Sequence, residues 1–467
     1  MNVDILFIIP PFHTRNGGGS FFPLGLGYII AEIESAGYTW KVINLTEIVH
    51  TLHKEDLERI VNTLKTELQQ YTPSLIGIGP CITTQIRALK KIATTCREVL
   101  PQIPVFAGGP LASIADQEWL FYEELEIDYL IKGDGELAVV EAIQTVKNGL
   151  SLADSRSVSR KGYSYVNQID DIDSMPFPHR EFGHSNHFSI RRTGESENQA
   201  AMIASRGCPY ACKYCVSGNL KHNNFKYRKR SLENILDEMQ MLCIEHGIED
   251  VVFYDDCFFH NPQTVNTDVE AFCCKKIDRK IETTWQIEMR PDVFIALSDG
   301  SIELLKKSGC RQISLGIEKA SSRGMAFLGK KDCWPSLQEK VKHIKELADI
   351  SVSATFILGG ENETAQDVEQ LIEKSKTLQL DFAHYNPLFL YPGTPLYNEV
   401  FSDNRKWAQL IFEDTLDWGE IVYETSQLSR EKLIELVDYA YSQFYKDTLY
   451  AKEQMITDRF NLKGEQK

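Results

Sequence analysis

The chain has 467 residues, more than one ordinary core accommodates and enough for two or three domains. Apolar residues make up 43% and charged residues 25%, the balance expected of a soluble globular protein, and no apolar run reaches the roughly 18 residues of a membrane span. The net charge of −16 argues against a broad nucleic-acid footprint, so no nucleic-acid partner is expected.

The opening segment, MNVDILFIIPPF, lacks a basic region ahead of its apolar stretch. It therefore reads as a first buried strand and not as a signal peptide. Eleven cysteines, an odd number with one group at ligand spacing, argue against a disulfide framework and point to a reducing, cytoplasmic setting.

Residues 1–149 alternate strand and helix. Apolar runs at Asp4–Pro10, Trp40–Asn44, Ser74–Gly79, Val105–Gly108 and Asp128–Lys132 predict strands. Leu57–Tyr71 and Ile86–Leu100 carry helical spacing between them. Such alternation predicts an α/β, Rossmann-like, doubly wound parallel sheet. Gly79, Gly108, Gly109, Gly133 and Gly135 fall at or just after strand ends. Ligands of such sheets bind outside the carboxyl ends of the strands.

From 150 to 198 the rhythm is lost around Pro176 and Pro178, which predicts a linker. A second alternating block, 199–398, holds strand candidates at Ala200–Ser205, Asp250–Tyr254, Thr284–Met289, Gln312–Gly316, Ser353–Leu358 and Phe382–Phe389. Six β/α units are fewer than the eight of a closed barrel, so a partial (β/α)6 barrel is expected. Residues 399–467 read as a small helical C-terminal extension, with apolar spacing from Leu433 to Phe444.

Chemistry concentrates in SRGCPYACKYCVSGN. Cys208, Cys212 and Cys215 lie in one compact loop after the first strand of the second block. Three thiolates suit a [4Fe–4S] cubane and leave one iron open to a small chelating molecule. Structural zinc is the competing reading, but it usually takes two separated pairs, and no partner pair is evident. Asp255 and Asp256, Arg290, and Glu318 end the second, third and fourth strands. The acids also fit as helix N-caps or solvated loop groups.

CPYACKYC resembles the CxxxCxΦC signature of the radical S-adenosylmethionine (SAM) superfamily, with Tyr214 at the aromatic position. Pro10–Pro11, PLGLGY at Pro23–Tyr28, AGGP at Ala107–Pro110, IDYLIKGDGE at Ile127–Glu136, DIDSMPFP at Asp171–Pro178 and YPGTPLY at Tyr391–Tyr397 are similar to features of that superfamily's cobalamin-binding branch. The resemblance runs along most of the chain. It implies a [4Fe–4S] cluster on Cys208, Cys212 and Cys215, cleaving SAM to a 5′-deoxyadenosyl radical. It implies SAM contacts from Tyr214, Asp256, Arg290, Glu318 and Gly359. It implies cobalamin contacts from Pro11, Leu24, Gly25, Gly79, Gly108, Gly109, Pro110, Gly133, Gly135 and Glu136. The D-x-H-x-x-G motif of methyl-transferring cobalamin domains is absent around His13, so His13 is not assigned to cobalt.

The activity implied is methylation of an unactivated carbon or a phosphorus centre of a small-molecule, lipid or natural-product intermediate. A flavodoxin- or ferredoxin-type donor would supply electrons. The alternatives are cyclisation or rearrangement with the same cofactors, a radical SAM enzyme without cobalamin, and a non-catalytic corrinoid or iron–sulfur sensor.

Overall fold

The computed structural model describes residues 1–11, 22–48, 54–114, 117–182, 198–219, 225–360, 362–401 and 422–446. His13 and the 183–197 part of the expected linker lie outside these. The chain divides into two units, the first drawn from 1–190, 219–225 and 391–421, the second from 191–218, 226–390 and 422–467.

In the first unit, strands β1 (Asn2–Ile9), β2 (Trp40–Asn44), β3 (Thr72–Ile78), β4 (Val105–Gly108) and β5 (Tyr129–Gly133) pair in the order β2-β1-β3-β4-β5, all parallel. Helices α1 (Leu24–Ser35), α2 (Lys54–Leu68), α3 (Ile86–Val99), α4 (Pro110–Ser113) and α5 (Glu136–Lys147) make the connections. Ile5 through Ile9 are all buried because helices cover both faces of a parallel sheet, which is why β1 reads as an unbroken apolar run. Ile5, Phe7 and Ile9 pack with Leu26, Ile30 and Ile33 of α1 and with Val139, Ala142 and Ile143 of α5. Each such side chain contributes roughly 1.5–3 kcal/mol on burial. The strand order reverses between β1 and β3, which places the ligand crevice of this sheet type at their carboxyl ends.

Two boundaries differ from the sequence expectation. The first part of the expected linker extends the sheet: β6 (Ser159–Arg160) pairs antiparallel and β7 (Val166–Asn167) parallel with β5. Their two-residue lengths leave no hydrophobic period to read. Residues 391–398, expected to close the barrel block, cluster with the first unit. There the Pro-Gly turn is so tight against Ile114 that a Cβ on Gly393 (φ +79°) would lie 2.4 Å from its Cγ2.

The second unit is a six-stranded, all-parallel sheet in chain order: β8 (Gln199–Met202), β11 (Asp250–Phe253), β12 (Thr284–Met289), β13 (Cys310–Glu318), β14 (Ser351–Leu358) and β15 (Phe382–Pro387). β9 (Ser205–Arg206) and β10 (Arg228–Lys229) form a separate two-stranded ribbon. Edges β8 and β15 are not paired with each other, so the barrel is partial, as expected. Helices α6 (Val216–Asn219), α7 (Leu232–His246), α8 (Val265–Asp278), α9 (Pro291–Ile295), α10 (Asp299–Lys307), α11 (Ser322–Leu328), α12 (Trp334–Ala348) and α13 (Ala365–Lys376) lie between strands. The start of α13 is fixed by a capping box: Thr364 Oγ1 accepts from Asp367 N while Asp367 Oδ2 accepts from Thr364 N.

After α14 (Pro395–Val400) of the first unit, the described tail returns to the second unit as α15 (Arg430–Tyr445). It covers the open edge of β15. Tyr445 OH accepts from Ala383 N and donates to Ala383 O, both at 3.0 Å, and Tyr441 OH accepts from Tyr385 N at 3.2 Å. Edge backbone groups that would otherwise face a missing strand are thereby satisfied.

Candidate active site

The carboxyl ends of the second unit's strands gather its chemically active side chains. Cys208, Cys212 and Cys215 occupy the loop between β9 and α6, entered through Gly207 in the left-handed region (φ +80°). The loop is tied down by Asp255, buried after β11. It accepts from Ala204 N with both carboxylate oxygens, at 2.8 and 3.1 Å, and from Ser205 Oγ. Burial pushes Asp255 up to about 6, against the pull of these donors.

The thiols differ in environment. A hydrogen bond from Cys257 is the main cause that lowers Cys208 to about 7, with the Tyr210 backbone N–H and the Arg290 charge adding to it. Burial raises Cys215 to about 11, partly offset by Gly218 N–H. Among the described residues, no group of three or more His, Cys, Asp or Glu converges as round a single metal ion. A cubane binds each thiolate to a different iron, so its ligands need not converge. Three cysteines in one loop, supplied with local N–H donors, fit that donor set.

Tyr214, within the loop, donates from its OH to Glu318 Oε1 at 2.9 Å. Desolvation first, and the Glu318 charge second, hold this phenol well above its ordinary value, so it stays protonated and a donor. Glu318, at the end of β13, is a non-glycine residue in the left-handed region (φ +68°). Such a conformation costs of order 1–3 kcal/mol and persists where its surroundings enforce it. Here Lys330 Nζ bridges Glu318 Oε1 at 2.9 Å and Gly316 O at 2.8 Å. A Cβ on Gly316 would fall 2.8 Å from Glu318 Oε1 and push the carboxylate from this position. The next residue after Glu318, Lys319, is 3% exposed and binds Gly359 O at 2.6 Å and Glu363 Oε2 at 2.8 Å.

Arg290, after β12, forks onto Asp292 (3.0 and 3.2 Å), lies 3.7 Å from the Tyr210 ring centroid, and brings Nη1 to 3.9 Å from Cys212 Sγ. Asp256, next to Asp255, is exposed. Desolvation raises its pKa, and Ser217 offsets part of this.

The structure thus brings Tyr214, Glu318, Arg290 and the three cysteines to one end of the sheet. Gly359 is there too, but its carbonyl is taken by Lys319 and its α-carbon faces Leu433, 3.0 Å from a would-be Cβ. Lys319, Lys330 and Glu363 were not legible as site residues. Their partners lie 12 or more positions away, and no local motif marks them. Asp292 carries a local signal, lying two residues from Arg290.

In the first unit the strand-end glycines are needed by the protein itself. A Cβ on Gly109 (φ +116°) would lie 2.5 Å from Cys81 N, one on Gly79 2.8 Å from Gly108 O, and one on Gly133 2.1 Å from Asn167 O. A Cβ on Gly135 would meet Ile29 Cδ1 at 2.8 Å. These positions remain half-exposed, so the carboxyl end of the sheet presents backbone where side chains would otherwise stand. Gly25, in the first turn of α1, is exposed, and a Cβ there would have nothing within 4 Å. Pro110 is exposed, whereas Pro11, Leu24 and Glu136 are buried. Partly exposed backbone at the strand ends, with no side chain standing over it, fits the close approach of a ligand such as a corrin.

Comparison with known proteins agrees with this layout. The B12 binding domain model matches residues 13–143 and the radical SAM superfamily model matches 202–375. An uncharacterized methyltransferase of Pyrococcus horikoshii is 25% identical over 412 residues, covering 86% of this chain and 84% of its own. The anaerobic magnesium-protoporphyrin IX monomethyl ester cyclase of Rubrivivax gelatinosus is 24% identical over 410 residues, covering 85% and 70%. Among solved structures, the radical SAM methyltransferase TsrM of Kitasatospora setae, with cobalamin and a [4Fe–4S] cluster bound, shares the fold with a TM-score of 0.62. It is 16% identical, with 92% of this chain and 84% of that one covered. With a B12-binding domain joined to a radical SAM domain in one polypeptide, the chain belongs to the cobalamin-binding radical SAM enzymes.

Proposed function

We propose that this enzyme is a cobalamin-dependent radical SAM methyltransferase acting on an unactivated carbon, or a phosphorus centre, of a small biosynthetic intermediate. The observation that carries the reading is the loop of Cys208, Cys212 and Cys215 at the carboxyl end of β8, downstream of a B12-binding domain in the same chain. The methyltransferase names of the Pyrococcus and Kitasatospora relatives support methyl transfer. The Rubrivivax cyclase favours a second reading, radical ring closure with the same cofactors and no methyl product.

When bound, the cluster with SAM supplies a hydrogen-abstracting radical, and the corrinoid supplies the methyl group. The chain's own part is positioning. Cys208, Cys212 and Cys215 hold the iron. Tyr214 and Glu318 read SAM: both hydrogen bonds given to Glu318 fall on Oε1, leaving Oε2 to accept from a ribose hydroxyl or an amino group. Lys330 fixes that carboxylate, and Asp256 adds an acid at the rim. The partly exposed backbone at Gly79, Gly108, Gly109, Gly133 and Gly135, with the exposed Gly25, carries the corrinoid. Eleven free thiols suit a reducing cytoplasm, where a flavodoxin- or ferredoxin-type donor supplies electrons. Among the described residues, no helix is long and apolar enough to cross a membrane.

The test is anaerobic. The full chain is reconstituted with iron, sulfide and hydroxocobalamin, desalted, and assayed for retained iron and corrinoid. SAM and a strong reductant are then added and the nucleosides measured. Retention of both groups, 5′-deoxyadenosine lost in Cys212→Ala, and S-adenosylhomocysteine formed with substrate support methyl transfer. 5′-Deoxyadenosine without S-adenosylhomocysteine supports the cyclase-like reading. No cluster on the wild-type chain refutes both.

A further inference from the structure

The strand-end ion pairs differ in what they touch. Lys330–Glu318 and Lys319–Glu363 hold loop backbone and Tyr214. Arg290–Asp292 alone among these three reaches a cluster cysteine, with Nη1 3.9 Å from Cys212 Sγ. Two of its nitrogens, Nε and Nη2, are used on Asp292 as one bidentate edge, so the third nitrogen, Nη1, is aimed by a fixed fork. The guanidinium also stacks on Tyr210, which stands between Cys208 and Cys212 in the loop. Tyr210 is itself anchored through its OH on His260 O. A cation carried by the end of a core strand is thus clamped against the loop at two points, through a ring and through a sulfur.

We infer that Arg290 is a redox-positioning residue, raising the reduction potential of the iron–sulfur centre held by Cys208, Cys212 and Cys215, and is not a SAM ligand. This rests on the cluster assignment above. Adding one electron to a thiolate-ligated cluster increases its negative charge. A nearby fixed cation and an N–H···S bond both favour that reduced form. Asp292 works the other way, since its carboxylate offsets part of the guanidinium charge. The two side chains therefore act with opposite sign on the same potential, although both are needed to aim the fork.

The experiment is an anaerobic redox titration of the reconstituted full chain without SAM, followed by the electron paramagnetic resonance signal of the reduced cluster. Wild type, Arg290→Gln, Arg290→Lys and Asp292→Asn are compared at equal iron content, and SAM affinity is measured by equilibrium dialysis. Arg290→Gln is expected to lower the reduced-to-oxidised ratio at a fixed potential about tenfold, which for one electron is about 59 mV. Arg290→Lys, which keeps the charge without the fork, recovers part of it. Asp292→Asn moves the ratio upward. Loss of SAM binding in Arg290→Gln with an unchanged potential overturns the inference, as does a shift of Arg290→Gln and Asp292→Asn in the same direction. If Arg290→Gln fails to load iron, the opposite shifts of Arg290→Lys and Asp292→Asn decide. Failure of the wild-type chain to hold a cluster counts against the cluster assignment itself, and so is distinct from either result.

Discussion

Glu363→Gln isolates the buried ion pair behind the β14 loop. Lys319 is 3% exposed and Glu363 8% exposed, and the ammonium also holds Gly359 O. Burial holds the Lys319 pKa below the ordinary 10.5, and the Glu363 charge opposes that fall. Breaking such a pair typically costs 3–5 kcal/mol because a charge is left buried without its counterion. The variant has an escape, which is to fold with Lys319 neutral. Taking that proton off at pH 7 costs about 1.36 kcal/mol for each of the 3.5 pH units below 10.5, or ~5 kcal/mol, which caps the loss. At pH 9 the same cap is ~2 kcal/mol. The sign follows from linkage. A lysine depressed in the folded state binds fewer protons there than in the unfolded chain, so stability returns as pH rises towards 10.5. Urea unfolding at pH 7 and pH 9, followed by circular dichroism and fitted with a separate transition for each unit, measures both numbers. A loss under about 1 kcal/mol at pH 7, or a larger loss that is unchanged at pH 9, would refute the reasoning.

Tyr445→Phe removes the hydroxyl that both accepts from and donates to Ala383, leaving a buried N–H and C=O unpaired. It should cost about 1–3 kcal/mol in the second unit's unfolding transition, and a change within error would show that water replaces the hydroxyl. Gly109→Ala and Gly25→Leu separate architecture from ligand in the first unit. Gly109→Ala drives a Cβ towards Cys81 N in a left-handed conformation and should lose at least ~1–3 kcal/mol in a melt without any cofactor. Gly25→Leu meets open space in a helix and should leave that apo melt unchanged or raised, while hydroxocobalamin retained after desalting falls. Undiminished corrinoid on Gly25→Leu would remove Gly25 from the cobalamin site.

The strands were legible where physics leaves a local mark. β2, β4 and β12 match the expected strands at both ends, but only β4 is an unbroken apolar run; β2 is an edge strand with Ile43 alone fully buried, and β12 carries Gln286 and the exposed Glu288. The cysteine loop was legible because Cys208, Cys212 and Cys215 are close in sequence. The strand-end pairs were not, because Glu318 meets Lys330 across the whole of α11, and Lys319 meets Glu363 from the neighbouring strand. Such pairs are set by the spacing of strands in a sheet. Glycine was the most ambiguous letter. The positions read as ligand approach, Gly79, Gly109 and Gly133, are demanded first by contacts between the protein's own loops. Sequence cannot tell a backbone that must approach a cofactor from one that must approach itself.

Buried charges alone do not mark an active site, and the two ends of the second sheet show why. At the strand starts, Asp250 accepts from Arg311 Nε and Nη2, Gln199 Nε2, Gln286 Nε2 and Thr284 Oγ1. These donors come from β8, β12 and β13, so one carboxylate with both oxygens engaged sews four strands together. Arg311 and these hydrogen bonds hold its pKa down against the cost of burial. Both oxygens of that carboxylate are thereby spent within the sheet. At the strand ends the bonds to Glu318 converge on a single oxygen, and Arg290 turns one nitrogen, Nη1, to a cysteine sulfur. The left-handed backbone of Glu318 is retained there at a cost that a glycine would avoid. Replacing buried ion pairs by apolar residues is often neutral or stabilising, so their presence needs a reason beyond stability. For Asp250 the reason is closure of the sheet. For Glu318 and Arg290 we propose that it is the chemistry at the carboxyl end, where Glu318 Oε2 remains unspent and the cysteine loop lies beside it.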